Sequence, residues 1–192
     1  MMYLKKYFLL IFLLGIGIFS AFTQERNLRV TDANGREKLL GIIDEQGLRS
    51  ASFANWFNTQ YDHYKVDNST IKAVSGTLEA YTIKAFMGTW CGDSKREVPR
   101  LYKILRAANF PMDQLTMVAV DYIKPNYKKS PTGEEKGLNI VKVPTFIFFK
   151  NGKEVNRIIE FPVTSLEKDI SAIVNGKNYV PNYSDIPVLP VD

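Results

Sequence analysis

The order of apolar patterns along the second half of the chain is the feature that most constrains its fold. Residues 78–87 and 115–120 are short, mostly apolar runs, which is the pattern of buried strands. Between them, residues 95–108 carry apolar side chains at intervals of three or four, which predicts an amphipathic helix. Because this helix forms a crossover connection, the two strands should pair in parallel.

A hairpin and a last helix complete the pattern. Residues 145–150 and 154–159 have the composition of strands, and the Asn151-Gly152 pair between them is a strong two-residue hairpin turn. The apolar positions of residues 164–174 fall on one face of a helix. The chain is therefore predicted to be an α/β protein, with a mixed central sheet and helices on both faces.

Residues 24–77 are interpreted as an N-terminal extension whose main element is helical. Residues 24–47 are polar and punctuated by glycine, which predicts a loop with at most one strand. Residues 48–64 carry aromatic and aliphatic side chains at helical spacing, with serines near the start. This aromatic stripe is a candidate ligand surface, but packing in the core is the favoured interpretation.

Cys91 is the only cysteine among 192 residues, so the chain can form no internal disulfide. Hydrophobic residues make up 45% of the sequence, so an apolar core has to hold the fold alone. The formal net charge of +5 is spread along the chain without a run of five like charges, and we expect no nucleic-acid partner. The sequence shows no metal-ligand spacing, and no metal or cofactor is predicted.

The first 23 residues have the layout of a secretory signal peptide. Lys5 and Lys6 form a short positive region, an apolar run continues to Phe19, and small residues then precede a polar segment. The apolar run is shorter than the roughly 20 residues of a membrane-spanning helix, so an uncleaved anchor is the weaker alternative. We expect an exported protein, periplasmic or secreted, with no membrane span once the signal is removed.

The chain is then predicted to have four parts. They are a signal peptide at residues 1–23, the N-terminal extension at 24–77, a main domain at 78–176 and an extended tail at 177–192. The tail contains three prolines, which disfavour regular structure.

Three motifs follow one another along the main domain. They are Trp90-Cys91-Gly92 with Pro99 eight residues after the cysteine, Val143-Pro144-Thr145, and Lys150-Asn151-Gly152. In these motifs and in their order, the chain resembles the thioredoxin family. The resemblance implies a thioredoxin fold, a cis peptide bond before Pro144, and Cys91 as the attacking thiol.

The resemblance also implies roles for the residues around the thiol. Cys91 at the start of a helix would meet unpaired N–H groups and the positive end of the helix dipole, which favour the nucleophilic thiolate. Gly92 would let the chain turn tightly and let a substrate backbone approach. The residues expected to bind the substrate chain are Trp90, Gly92, Asp93, Val143, Pro144 and Thr145.

The chain departs from the family pattern at three positions. Ser94 replaces the second cysteine, Asp93 replaces the intervening proline, and Ala85 replaces the buried acid that serves that cysteine. Without a resolving thiol, dithiol reduction is excluded. The resemblance then implies monothiol chemistry at a Cys-x-x-Ser site, with Ser94 donating a hydrogen bond to the Cys91 thiolate. The partners would be protein disulfides or mixed disulfides, and an external thiol reductant.

A rival interpretation is a non-catalytic thioredoxin-fold module. In that case Cys91 is a relic, and the groove beside Pro144 holds a partner without chemistry. The two interpretations differ in one respect that can be measured, which is whether the thiol is needed for the function.

Overall fold

The computed structural model describes residues 25–186. The predicted signal peptide and residues 187–192 of the tail lie outside this part of the chain. Within residues 25–186 no helix combines the length and the apolar character that crossing a bilayer requires.

Six strands and six α-helices form the described part of the chain. The strands are β1 Leu28–Thr31, β2 Glu37–Ile43, β3 Thr82–Met87, β4 Leu115–Ala119, β5 Thr145–Lys150 and β6 Lys153–Ile159. The helices are α1 Glu45–Leu48, α2 Ala51–His63, α3 Asn68–Lys72, α4 Ser75–Leu78, α5 Gly92–Ala107 and α6 Leu166–Val174. A short 3₁₀ helix at Met112–Gln114 leads into β4.

The strands form one mixed sheet in the order β1-β2-β4-β3-β5-β6. β3 and β4 pair in parallel, as the crossover through α5 requires, and the other neighbours are antiparallel. The hairpin between β5 and β6 turns at Asn151 and Gly152, both of which have positive φ. The predicted thioredoxin fold, with its mixed sheet and helices, is confirmed.

The N-terminal segment differs from the loop expected for residues 24–47. It forms two strands, and β2 pairs with β4 inside the main sheet. The turn between them is built by Asp32, whose carboxylate accepts hydrogen bonds from the backbone N–H groups of Asn34 and Arg36. The strand β2 begins with the charged residues Glu37 and Lys38, which obscured its pattern in the sequence.

The two faces of the sheet are covered differently. Side chains alternate between the faces of a strand, and β3 places Ile83, Ala85 and Met87 in one buried cluster and Phe86 in another. The buried apolar residues of the helices all belong to the first cluster. The second cluster is closed by irregular chain that includes Val143, instead of the second helical layer expected from the sequence.

The aromatic stripe of the N-terminal helix packs into the core, as the favoured interpretation predicted. Helix α2 lies against α5, and both Phe53 and Phe57 are buried. The Phe57 ring meets Tyr102 of α5 edge to face, with 5.8 Å between the ring centroids. This contact makes α2 part of the same core as the thiol-bearing helix, so the stripe is not available as an open ligand surface.

Replacing Phe57 with alanine should lower the free energy of unfolding by about 3–5 kcal/mol, because the side chain is fully buried and its removal leaves a cavity. Denaturant unfolding followed by circular dichroism measures the change. Asn55→Ala, an exposed position on the same helix, is the control and should stay within about 0.5 kcal/mol of the parent. Equal effects of the two substitutions would contradict this packing.

Candidate active site

Cys91 occupies the N-cap position of helix α5, directly after the turn that follows β3. Its backbone N–H donates to the Gly88 carbonyl at 2.9 Å, and its carbonyl accepts from the Lys95 N–H at 3.0 Å. The residue is partly exposed. The thiol therefore lies at the positive end of a 16-residue helix and within reach of solvent.

The thiol faces the segment that enters β5. The Cys91 Sγ donates a hydrogen bond to the Val143 carbonyl oxygen at 3.2 Å, and the Val143–Pro144 peptide bond is cis. Val143, Pro144 and Thr145 are buried, and the Thr145 hydroxyl donates back to the Lys142 carbonyl at 2.7 Å. The structure thus brings the predicted docking motif to the sulphur, but it buries the side chains of that motif.

Trp90 forms one wall of the site. Its indole Nε1 donates to the Val120 carbonyl at 3.0 Å, and its ring lies 5.5 Å from Tyr122 and 6.5 Å from Tyr127, centroid to centroid. The ring also covers Gly88 so closely that a Cβ there would lie 2.4 Å from it. These contacts hold the indole in one place beside Cys91.

Gly92 is exposed, and a Cβ built on it would meet no atom within 4 Å. Its φ is not positive, so the backbone does not require glycine, contrary to the tight-turn role expected from the sequence. The open space above Gly92 instead leaves room for another chain to approach the thiol.

The side chains of Ser94 and Asp93 form their hydrogen bonds with groups other than the Cys91 sulphur. Ser94 is fully buried, and its hydroxyl accepts a hydrogen bond from the Gly88 N–H at 3.2 Å. Among residues 25–186 no hydrogen bond joins Ser94 to Cys91, in contrast to the expected donation to the thiolate. Asp93 pairs with Arg96 at 2.7 Å, which offsets its negative charge beside the thiol.

The sheet beneath the thiol is apolar at the place where the resemblance implied an acid. Ala85 is fully buried and lies opposite Met117 in β4 and Phe146 in β5. No acid occupies this position, and the second cysteine that such an acid would serve is absent as well.

A buried ion pair lies at the same end of the sheet. The Lys38 ammonium of β2 contacts the Asp121 carboxylate at 2.5 Å, and the two side chains are only 5% and 12% exposed. Burial by itself raises the pKa of Asp121. The Lys38 ammonium and the N–H groups of Ile123 and Tyr122 outweigh that effect, and the pKa lies below its ordinary value of 3.8.

This ion pair connects β2 to the wall of the site that Trp90 forms. Asp121 follows Val120, which holds the Trp90 indole, and the Lys38 ammonium lies 5.0 Å from the centre of the Tyr122 ring. The next residue of β2, Leu39, donates its N–H to the Thr89 hydroxyl at 3.2 Å, directly before Trp90. The N-terminal hairpin therefore supports the turn that carries the thiol.

The rim of the site beside Pro144 contains a residue, Glu160, in an uncommon backbone conformation. Glu160 has a φ of 65° and donates its N–H to the Pro144 carbonyl at 2.6 Å. Its carboxylate pairs with Lys142 at 3.3 Å and accepts from the Tyr183 hydroxyl. Tyr183 thus brings the described part of the tail to this rim, and the Asn156 amide of β6 donates to the Tyr179 carbonyl at 2.9 Å.

A family model of thioredoxin, described simply as Thioredoxin, matches residues 64–172. This is more than half of the chain, and it includes the thiol, the Pro144 segment and both strands of the closing hairpin. The chain belongs to the thioredoxin family. The match begins directly after β1, β2 and α2, so Lys38 lies outside it.

Curated relatives agree with this assignment. Thioredoxin H2 of Arabidopsis thaliana is 30% identical over 88 residues, which is 46% of this chain and 59% of that protein. Mitochondrial thioredoxin-3 of Saccharomyces cerevisiae is 33% identical over 85 residues, 44% of this chain and 59% of that protein. The thioredoxin-like protein R548 of Acanthamoeba polyphaga mimivirus is 30% identical over 104 residues, 54% and 69% of the two chains. The chain thus spans about three-fifths of the first two relatives.

Solved thioredoxin structures are also similar. Thioredoxin O2 of Arabidopsis thaliana in its oxidized state shares 24% identity, over 53% of this chain and 80% of that one, with a TM-score of 0.34. Fasciola hepatica thioredoxin shares 18% identity, over 56% and 89% of the two chains, with a TM-score of 0.34.

Sequence reasoning missed several residues of this thioredoxin's site. Lys38, Tyr122, Tyr127 and Glu160 come from three separate stretches of chain, and no motif marks them. One signal was present for Lys38, because it directly precedes the apolar run of residues 39–43, and a lysine that is buried with such a run needs a partner. Within residues 25–186, no three His, Cys, Asp or Glu side chains converge to hold a metal ion.

Lys38→Met should destabilise the protein by about 3 kcal/mol at pH 7, because it leaves the Asp121 carboxylate buried without its partner. Above pH 3.8 the native ion pair contributes its full stability, which is lost as the pH falls through the lowered pKa of Asp121. The difference between parent and variant should therefore shrink as the pH falls below 3.8. Urea unfolding of parent and variant at pH 7 and at lower pH measures this difference in the free energy of unfolding.

The double variant Lys38→Met/Asp121→Asn should recover part of the stability that Lys38→Met loses. A destabilisation by Lys38→Met that is independent of pH would contradict the assignment of this ion pair.

Gly88→Ala should destabilise the protein by about 1–3 kcal/mol, because its Cβ would overlap an indole ring held by the Val120 carbonyl. The matched control is Gly92→Ala, where the added methyl meets open space, with an expected change within about 0.5 kcal/mol. Denaturant unfolding of both variants checks the pair. Equal stability of the two would show that the Trp90 wall is not fixed.

Proposed function

We propose that this thioredoxin is an exported monothiol protein that exchanges disulfides through Cys91 and needs an external thiol to complete each cycle. The observation that carries the proposal is the position of the Cys91 sulphur. It lies at the start of α5, partly exposed, 3.2 Å from the Val143 carbonyl and next to the open space above Gly92. A sulphur atom placed there can be reached by a disulfide on another chain.

The first step is a thiol–disulfide exchange. Cys91, as the thiolate, attacks one sulphur of the partner disulfide; that S–S bond breaks as a new one forms to Cys91. The electron pair leaves with the other partner sulphur, which takes up a proton from water. The result is a mixed disulfide between Cys91 and the partner, together with one free thiol on the partner.

The second step needs a thiol from outside the chain, because Cys91 is the only cysteine. An external thiolate attacks the mixed disulfide at Cys91, which releases the second thiol of the partner and leaves Cys91 joined to the external sulphur. A second external thiolate then attacks that external sulphur and releases Cys91. Over the cycle one partner disulfide is reduced to two thiols and two external thiols are oxidised to a disulfide. If another thiol of the partner attacks the partner sulphur of the mixed disulfide instead, a different disulfide forms in the partner and Cys91 is released, with no net oxidation or reduction.

The surrounding residues have distinct roles in this proposal. Trp90 shields one side of the sulphur, and the space above Gly92 admits the partner backbone. Val143 presents its carbonyl at the thiol, and Asp93 is neutralised by Arg96. Ser94, which is buried against Gly88, shapes the turn instead of contacting the partner.

Export is part of the proposal and rests on residues 1–23 alone. Their positive, apolar and small-residue regions have the layout of a secretory signal. In an oxidising compartment such as the periplasm, disulfides of other exported proteins are the available substrates. A thiol kept reduced there requires a dedicated donor, which is the external thiol of the second step.

Cys91→Ser should abolish exchange with a peptide disulfide, since serine cannot form the mixed disulfide. The measurement is the release of a chromogenic thiol from an activated peptide disulfide by the purified protein. Ser94→Ala, which keeps the nucleophile and alters only the buried hydroxyl, is the matched control and should retain exchange. Unchanged exchange by Cys91→Ser would overturn the proposal.

Ser94→Cys provides a second test, because it restores the position of a resolving thiol. This variant should form an internal disulfide with Cys91 and release bound partners without an added thiol. Mass spectrometry of the alkylated protein detects the bond. Persistent mixed disulfides in this variant would show that residue 94 cannot reach the sulphur.

A binding role without chemistry is the second candidate. It is favoured by the hydrogen bond between the Cys91 thiol and the Val143 carbonyl, which engages the sulphur within the protein. In that case a partner peptide should bind Cys91→Ala as tightly as the parent. Loss of binding together with the thiol would favour exchange.

A further inference from the structure

A loop beside the thiol, residues 121–129, is closed on itself; we refer to it as the lysine loop. At its neck the Asp121 N–H donates to the Lys129 carbonyl at 2.9 Å, and the Lys128 N–H donates to the Asp121 carbonyl at 2.8 Å. Inside it the Asn126 N–H donates to the Ile123 carbonyl at 2.9 Å. These bonds define the shape of the loop without help from a partner.

The lysine loop is also tied to the rest of the protein. The Asp121 carboxylate accepts from the N–H groups of Tyr122 and Ile123 and pairs with the buried Lys38. On the far side of the loop, the Lys128 ammonium donates to the Val141 carbonyl, two residues before Val143. A partner that binds here meets a preformed surface, so binding does not have to order the loop.

The loop is continuous with the wall of the active site. The Trp90 ring contacts both Tyr122 and Tyr127 of the loop and directly precedes Cys91 in the chain. A protein that brings a sulphur to Cys91 past the Trp90 wall therefore passes over Tyr127. Contacts with the loop can thus guide a disulfide to the thiol.

The outward side of the loop is both apolar and basic. Ile123 and Tyr127 are 43% and 49% exposed, and Lys124 and Lys129 are exposed beside them. Asp121 is the only acid of the loop, and it is buried in its ion pair. A positive charge therefore faces solvent around two exposed apolar side chains.

A cavity next to the loop extends this basic surface. It has a volume of about 400 Å³, and its lining includes Tyr127, Lys128, Lys129 and Lys136. The carboxylate in the lining, Glu135, accepts hydrogen bonds from the N–H and hydroxyl of Ser130. Two further carboxylates near the thiol, Asp93 and Glu160, are paired with the basic residues Arg96 and Lys142.

We infer that the lysine loop is a docking surface for an acidic segment of the protein that exchanges disulfides with Cys91. Carboxylates of the segment would lie over Lys124 and Lys129, and its apolar side chains would pack on Ile123 and Tyr127. The inference rests on the proposed function and adds to it the charge of the partner. Electrostatic attraction of this kind raises the association rate and weakens as salt is added.

The test uses two peptides that carry the same activated disulfide. One has glutamates beside its cysteine, and the other has glutamines at the same positions. The loop variant Lys124→Glu/Lys129→Glu is compared with Lys153→Glu/Lys177→Glu, which makes the same charge change at exposed positions on the opposite end of the sheet. The second-order rate constant for release of the chromogenic thiol is measured for the parent and both variants at low and high salt.

The parent should react about tenfold faster with the glutamate peptide than with the glutamine peptide at low salt, and the advantage should decline at high salt. The loop variant should lose this preference, while the control variant retains most of it. All three proteins should react with the glutamine peptide at rates within about twofold of each other. Equal rates for the two peptides in the parent, or equal losses in the two variants, would overturn the inference.

Failure of the proposed function gives a different result, which is no reaction of the parent with either peptide. Binding of labelled peptides without cysteine, measured by fluorescence anisotropy, then decides the docking surface independently of the thiol. Tighter binding of the glutamate peptide to the parent than to the loop variant supports the inference. Equal binding of the two peptides overturns it.

Discussion

The buried ion pair between Lys38 and Asp121 joins three parts of the protein at the end of the sheet where the thiol lies. It connects β2 to the end of β4 at Asp121, whose backbone closes the neck of the lysine loop, and it lies beside Tyr122, which contacts Trp90. Two charges this deeply buried are costly to desolvate, and each is tolerated only in contact with the other. The arrangement of the wall beside Cys91 depends on that contact, although both residues are distant from the thiol in sequence.

The site retains one half of the thioredoxin arrangement. Cys91 lies at the helix N-terminus, and the Val143 carbonyl, in the cis peptide bond to Pro144, lies next to the sulphur. At the other half, Ser94 is buried and bonded to Gly88, and Ala85 is packed among apolar side chains. The positions of Ser94 and Ala85 are thus part of the core, which is consistent with the proposed chemistry that relies on one internal sulphur.

The irregular segment between β4 and β5 has two functions in this protein. It covers the face of the sheet that bears Phe86, where the sequence led us to expect a second layer of helices. It also supplies the lysine loop beside Trp90. Because the neck bonds and the Asp121 carboxylate satisfy its backbone, the loop can expose Ile123, Tyr127 and two lysines without losing its shape. The same segment thus contributes to stability and forms the surface proposed for partner binding.

The sequence by itself determined the strand and helix order of residues 78–176, the family, and the position of Cys91 at a strand-to-helix junction, because these depend on local periodicity and contiguous motifs. It did not determine the N-terminal hairpin, whose second strand begins with the charged residues Glu37 and Lys38, or the role of Ser94. The contacts between Lys38 and Asp121, between Trp90 and Tyr127, and between Glu160 and Tyr183 were decided only by the tertiary structure. Each joins residues that lie far apart in the chain, and the energy of such a contact exists only once the sheet has brought them together.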